Sequence, residues 1–95
     1  MDVKVITEPN FTILRFEEKD EIGSVEVIKN TCYNFIENIY IKENYRHKGY
    51  FRKIIEYLKQ RGTLRCLPLP EHRDKFEHLG FKIYAQEGED IYYQL

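Results

Sequence analysis

The stretch Asn44–Gly62, NYRHKGYFRKIIEYLKQRG, constrains this chain more than any other. Phe51, Ile54, Ile55 and Leu58 recur at helical spacing, and Arg52, Lys53, Glu56, Lys59 and Gln60 take the other face. This periodicity predicts an amphipathic helix. Gly62, placed just after Lys59 and Arg61, is a helix stop. The start of the helix is unusual. Arg46, His47, Lys48, Arg52 and Lys53 crowd it, and no carboxylate lies between Glu43 and Glu56. A helix N-terminus carries partial positive charge and favours acidic neighbours, so crowding cations there is unfavourable unless an anion occupies the site. Gly49 lets the backbone approach such an anion, and the free N–H groups of the first turn would point at it. The pattern predicts a phosphate-type site; a solvated basic turn is the other reading that these residues allow.

Strand patterns flank the helix. Met1–Thr7 has Val3 and Val5 in alternation. Phe11–Phe16 places Phe11, Ile13 and Arg15 on one face and Thr12, Leu14 and Phe16 on the other. Ile22–Ile28 follows, with Val25 and Val27 on one face, and then Tyr33–Ile41, YNFIENIYI. Short turns between them suggest an antiparallel meander. After the helix comes a short strand, Thr63–Leu67, in the position of a parallel crossover from Tyr33–Ile41. Pro70 suits the first turn of a second helix, Glu71–Leu79, which carries Phe76 and Leu79 and stops at Gly80. Phe81–Ala85 and Asp90–Leu95 form a hairpin across residues 86–89. The expected order is β-β-β-β-α-β-α-β-β, an α/β (α+β) mixed sheet of six to seven strands with two helices.

Ninety-five residues amount to one domain, 1–95. A chain this short buries roughly 60–65% of its unfolded surface. The net charge of −1 argues against a nucleic-acid binder built on phosphate contacts. A small nucleic-acid binder using YRHKGYFRK and its aromatic rings is therefore the weakest of the alternatives. No apolar run reaches membrane-spanning length. Cys32 and Cys66 have no metal spacing, and no leader is evident, so the expectation is two reduced thiols in a cytoplasmic protein. His72 and His78 lie six residues apart, not the four of a helical zinc pair, so no metal is expected.

The run ENIYIKENYRHKGYFRKIIEYL, followed by KFEHLGFKIY, resembles the GNAT superfamily of acyl-CoA N-acyltransferases. That family has a strand, a loop of pattern [Q/R]-x-x-G-x-[G/A], a helix, and later a "YEKLGF"-like phrase. Arg46–Phe51 is similar to the loop, and Phe76–Phe81 to the phrase; the resemblance extends over residues 11–95. It implies an acetyl-CoA co-substrate. Its pyrophosphate would be held at Arg46, His47, Lys48, Gly49, Tyr50 and Phe51, and its pantetheine arm would pair with the main chain of Ile39, Tyr40 and Ile41.

Four departures from the family pattern bear on function. Phe51 replaces the last small residue of the loop, where it could crowd the phosphates or turn into the core. Phe76 stands where the family often has a Tyr that protonates the leaving thiolate, and Leu69 and His72 fall near the positions of residues that often line the CoA wall. The two helices that the family carries between its first strands have no room between Thr7 and Phe11. A site without that cover is open, which points to a macromolecular or peptide acceptor.

Acetyl transfer to an amine needs deprotonation of a group whose ordinary pKa is about 10.4, stabilisation of the developing oxyanion, and release of the thiolate. Glu37 is the expected base. It precedes the pantetheine stretch, and by strict alternation it shares a face with Phe35 and Ile39, where burial would raise its pKa. A solvent-facing strand-edge charge is its bland alternative. Tyr40, Tyr84, Tyr92 and Tyr93 are candidate acids, each of which could equally be packing. Cys66 is expected as a small buried thiol rather than a nucleophile. The expected function is acetyl transfer from acetyl-CoA to a primary amine of a small molecule or protein, by a monomer or homodimer without nucleic-acid or membrane partners. The alternative is a catalytically weak or inactive binding module acting through protein contacts.

Overall fold

The structure, a computed structural model, describes residues 1–95. Seven strands form one sheet: β1 (Asp2–Thr7), β2 (Thr12–Glu17), β3 (Glu21–Lys29), β4 (Asn34–Ile41), β5 (Leu64–Cys66), β6 (Lys82–Glu87) and β7 (Asp90–Gln94). Their spatial order is β1-β2-β3-β4-β5-β7-β6. Every neighbouring pair is antiparallel except β4–β5, which is parallel because helix α1 (Tyr50–Lys59) makes the crossover between them. Helix α2 (Arg73–His78) links β5 to the β6–β7 hairpin. This is the element order expected from the sequence, and β1 runs directly into β2 through residues 8–11.

Both helices lie on the same face of the sheet. Ile54, Ile55 and Leu58 of α1 and Phe76 of α2 pack with Leu14, Phe16, Val25, Val27, Ile36, Leu64, Cys66 and Tyr93 in a single core. Fully burying side chains of this size contributes about 1.5–3 kcal/mol each. Thr12, Leu14 and Phe16 point into that core, as their alternation predicts. The opposite face carries half-buried Ile13, Arg15, Ser24, Glu26, Ile28, Phe35 and Arg65. Arg65 is held there between the rings of Tyr33 and Tyr84, 4.2 and 4.4 Å away, and donates to Gln94 at 2.7 Å.

The structure corrects several local expectations. The second helix does not begin at Glu71. Pro70–His72 is a 3₁₀ turn, in which the His72 N–H donates to Leu69 three residues back, and the α-helix starts at Arg73. The last hairpin turns at Gly88–Glu89 rather than over four residues, because Gly88 adopts φ 60°, which tightens the turn. Val5 is 56% exposed on the edge strand, so only Val3 of that pair reaches the core.

The largest correction concerns β4. Val27 of β3 faces Ile36, but Glu26 faces Asn38, so Glu37 is the extra residue of a β-bulge. The bulge resets the alternation. Ile36, Ile39 and Ile41 share the core side, and Phe35 lies on the other face. Glu37 is exposed, not buried beside Phe35 and Ile39 as strict alternation requires.

Candidate functional site

The pairing of β4 with β5 runs Asn34↔Leu64, Phe35↔Arg65 and Ile36↔Cys66, and then ends. Beyond that point β4 stays with β3 as far as Ile41, while the β5 chain leaves through Leu67-Pro68-Leu69. The two strands therefore diverge, and a cleft of about 620 Å³ opens between them. One wall is Glu37–Ile41 with Tyr45, Arg46, His47, Gly49, Tyr50 and Phe51 of the loop, while Lys48 lies outside the lining; the other is Cys66–Leu69 with His72, Lys75 and Phe76.

The β4 wall presents main-chain groups. The Lys42 N–H donates to Ile22 on β3 at 2.8 Å. In an antiparallel ladder alternate residues point to opposite edges, so Tyr40 and Asn38 also turn toward β3. Ile39 and Ile41 turn their N–H and C=O groups into the cleft. One of these acceptors is occupied: the Arg46 Nε donates to the Ile41 carbonyl at 2.8 Å, and its guanidinium lies 5.8 Å from the Tyr40 ring centre. Gly23 allows β3 and β4 this close an approach. A Cβ there would fall 2.1 Å from the Tyr40 carbonyl oxygen.

The loop joins this wall to α1. His47 adopts φ 62° and Gly49, which caps the helix, φ 84°. These positive angles turn successive N–H groups to one side. Every backbone N–H from His47 through Arg52 lacks a backbone acceptor, and no side chain caps the helix. Nor do Arg46, Lys48, Arg52 or Lys53 form an ion pair; the salt bridges are Lys4–Glu17, Arg15–Glu21 and Lys42–Glu21. Unclaimed N–H donors and the Arg46 guanidinium thus meet at one end of the cleft, with Lys48 and Lys53 on the loop and helix start outside its lining and Arg52 turned to a separate pocket.

Phe51 turns into the core, where its ring meets Phe76 edge-on at 5.3 Å. It leaves the loop mouth clear despite its size. The segment Cys66–Leu69 of the β5 wall is apolar: Cys66 and Pro68 are buried, and Leu67 and Leu69 are exposed. Burial raises the Cys66 thiol from 9.0 to about 12. Proline at 68 has no N–H, so this wall cannot continue a ladder.

Of the tyrosines considered as acids, only Tyr40 lines the cleft. Tyr84 and Tyr92 face each other across the terminal hairpin, 6.2 Å apart. Tyr93 is buried and donates to Glu77 at 2.7 Å; that hydrogen bond, then burial, then the Glu77 charge raise its pKa. Sequence reasoning missed Tyr45, Asn38 and Lys75 as lining residues. Tyr45 was within reach, since it directly precedes Arg46 in the cationic loop. No group of three or more His, Cys, Asp or Glu side chains is arranged to hold a metal ion. No helix is long and apolar enough to cross a membrane.

No protein-family model matches the chain, and no curated protein does. Solved structures do. A candidate streptothricin acetyltransferase from Bacillus anthracis, in complex with acetyl coenzyme A, superimposes with a TM-score of 0.72 at 25% identity over 95% of this chain and 65% of that one. An aminoglycoside 6′-N-acetyltransferase complexed with coenzyme A gives 0.74 at 12% identity, over 93% and 73%. A candidate GNAT-family acetyltransferase from Desulfovibrio desulfuricans gives 0.64 at 16%, over 90% and 68%. The chain has the GNAT fold. It spans about two thirds of the length of these GNAT structures. The diverging parallel pair and the loop-to-helix turn are thus the centre of a GNAT sheet, and the β1–β2 hairpin is the short connection anticipated from residues 7–11.

Proposed function

We propose that residues 1–95 form one N-acetyltransferase domain, which holds acetyl-CoA in the cleft and transfers its acetyl group to a primary amine. One observation carries this reading. The main-chain edge at Ile39 and Ile41, free except for the Ile41 carbonyl held by Arg46, runs directly into a loop whose N–H groups from His47 to Arg52 are unclaimed. An extended amide-bearing arm that ends in a pyrophosphate matches both parts in sequence. The arm would pair along Ile39–Ile41 like an added strand, and the pyrophosphate would sit on the loop and helix N-terminus of Arg46–Phe51. With its Nε committed to Ile41, Arg46 would offer its remaining guanidinium donors to the phosphates. Structural neighbours complexed with acetyl-CoA or CoA support a ligand of this kind.

Glu37 would be the base. In support of this, Glu37 is exposed at the bulge and belongs to the cleft lining near the point where the two strands part. There it would take the amine proton directly or through a water, as the nitrogen attacks the thioester carbonyl and the C–S bond breaks. A main-chain N–H of the splayed strand would meet the developing oxyanion. The thiolate would collect its proton from solvent at the open mouth, because Phe76 offers none. The acceptor would be a protein or peptide amine, approaching the sheet face that carries no helix, in a cytoplasmic monomer or homodimer.

The test is thermal unfolding with acetyl-CoA, with ATP as the control, followed by thiol release in the presence of amines. At a hundred times its dissociation constant a ligand stabilises a fold by about 2.7 kcal/mol. For a domain of this size that is roughly 10–20 °C. Amine-dependent thiol release would support transfer, and no shift at millimolar acetyl-CoA would overturn the reading. Phe76 favours a second reading, a binding module without catalysis, and stabilisation without thiol release would select it.

A further inference from the structure

The cationic loop also carries aromatic rings, which the reading above leaves without a task. Tyr45 and Tyr50 meet edge-to-face, 5.7 Å between ring centres, at the loop end of the cleft. Both are half-exposed, and neither packs against the hydrophobic core. They are also held in place. The Tyr50 hydroxyl donates to Glu18 Oε2, in the β2–β3 turn, at 3.0 Å. The Lys48 ammonium lies 5.9 Å from the Tyr45 ring centre and that of Lys53 lies 5.2 Å from the Tyr50 ring centre, and neither lysine has a carboxylate partner. Rigid rings, with free cations around them, are the means by which proteins hold a nucleotide base and its phosphates. The net charge of −1 and the enclosure of the rings at a cleft end favour one nucleotide over a polymer.

We propose that Tyr45 and Tyr50 form a stacking platform for the 3′-phosphoadenosine half of a CoA thioester, with Lys48 and Lys53 beside its 3′-phosphate, so that the cleft selects free CoA thioesters over phosphopantetheine carried on a protein. The platform has this task only if the cleft holds a CoA thioester, the reading proposed above. The pantetheine arm and its phosphate are common to both donors; CoA adds a second phosphate, which the loop N–H groups would also hold, and the 3′-phosphoadenosine. The share of the selectivity that the two rings supply is therefore read from the change in the ratio of affinities when a ring is removed.

Calorimetric titration of the full chain with CoA and with 4′-phosphopantetheine tests this, in the wild type and in Tyr45→Leu, Tyr50→Leu and Tyr50→Phe. The ratio of the two dissociation constants should fall at least about tenfold in each leucine variant, the scale of one lost base–aromatic stack. The constant for 4′-phosphopantetheine should change less than threefold. Tyr50→Phe keeps the ring while losing the Glu18 bond, and should keep the wild-type ratio. Because Tyr45 makes no such bond, its variant stands even if Tyr50→Leu fails to fold. Leucine variants that retain the wild-type ratio, or a wild type that binds both ligands equally, would overturn the platform and leave the acetyl-CoA reading standing. Binding of neither ligand would overturn both.

Discussion

The two walls of the cleft differ in what they offer a substrate. The β4 wall is made of main chain: the inward-facing groups of Ile39 and Ile41, the positive-φ turn at His47 and Gly49, and N–H groups without acceptors. The β5 wall is mostly apolar, with Cys66, Leu67, Pro68, Leu69 and Phe76, and its polar side chains are His72 and Lys75 from the segment that follows. Main-chain donors are insensitive to most substitutions, whereas the acid of a proton transfer is a single side chain. A chain can therefore keep the means to bind a thioester while lacking a dedicated group to protonate its thiolate. Binding and turnover should respond to different residues here.

The largest effect should come from the one side-chain vacancy that the β4 wall requires. In Gly23→Val the added Cβ would meet the Tyr40 carbonyl oxygen at 2.1 Å and the Ile41 Cα at 3.0 Å, both of them backbone. Either β3 and β4 part or the fold loosens, at a cost of about 3 kcal/mol. The melting temperature should fall by roughly 12–24 °C. Whatever remains folded should show no stabilisation by acetyl-CoA, because the displaced edge is the proposed binding wall. A variant that melts early yet keeps its full ligand shift would separate Gly23 from the wall and break the comparison.

How much of this was legible in the sequence follows the same division. Helix α1 was readable because Phe51, Ile54, Ile55 and Leu58 share a face and Gly62 ends it. The basic loop was readable as a candidate anion site because cations at a helix start contradict the helix dipole. The succession of elements and the parallel pair followed from short turns and one crossover, whereas the pairing of β5 with β7 instead of β6 had no mark in the sequence. The bulge at Glu37 was not readable, since a bulge is a relation between two strands and β3 carries no mark of it. The 3₁₀ turn at Pro70 was missed because proline fits the first turn of either helix type. That Phe51 turns inward depended on Phe76, which lies 25 positions away and meets it only in the folded chain.

Glu37→Gln tests the corner where the walls part. The change keeps the size of the side chain and removes its basicity. Loss of a positioned base should lower kcat by about a hundredfold, which corresponds to about 2.7 kcal/mol of transition-state stabilisation. The thermal shift with acetyl-CoA should stay within a degree of wild type, because Glu37 belongs to neither the pantetheine edge nor the phosphate loop. An equal loss of ligand binding would make the bulge a binding element instead of a catalytic one.

Phe76→Tyr should act in the opposite direction. Phe76 is 8% exposed, lines the cleft, and packs edge-on against Phe51 and Phe81 at 5.3 and 5.1 Å. A hydroxyl at the ring tip would add a proton donor to the apolar part of the wall. If thiolate release limits turnover, kcat should rise about tenfold, or about 1.4 kcal/mol. Stability should change by less than about 1.5 kcal/mol, since the volume is nearly conserved. Unchanged turnover with intact folding would mean that solvent already protonates the thiolate fast enough.

The smallest expected effect concerns Cys66, the buried end of the apolar wall. Its thiol is raised from 9.0 to about 12 because burial penalises the thiolate. The folded chain therefore holds a proton that the unfolded chain has lost between these values. The contribution of Cys66 to stability is complete below pH 9 and declines as pH rises toward 12, by at most about 1.4 kcal/mol per unit. Cys66→Ala should flatten that part of the stability curve after correction for its own loss of packing. At pH 8 the same difference can be read chemically. Alkylation should modify exposed Cys32 in the native chain and both cysteines after unfolding. Rapid native alkylation of Cys66 would mean that solvent reaches the meeting point of the two walls, and that the thiol there is as open to reagents as the Glu37 carboxylate opposite it.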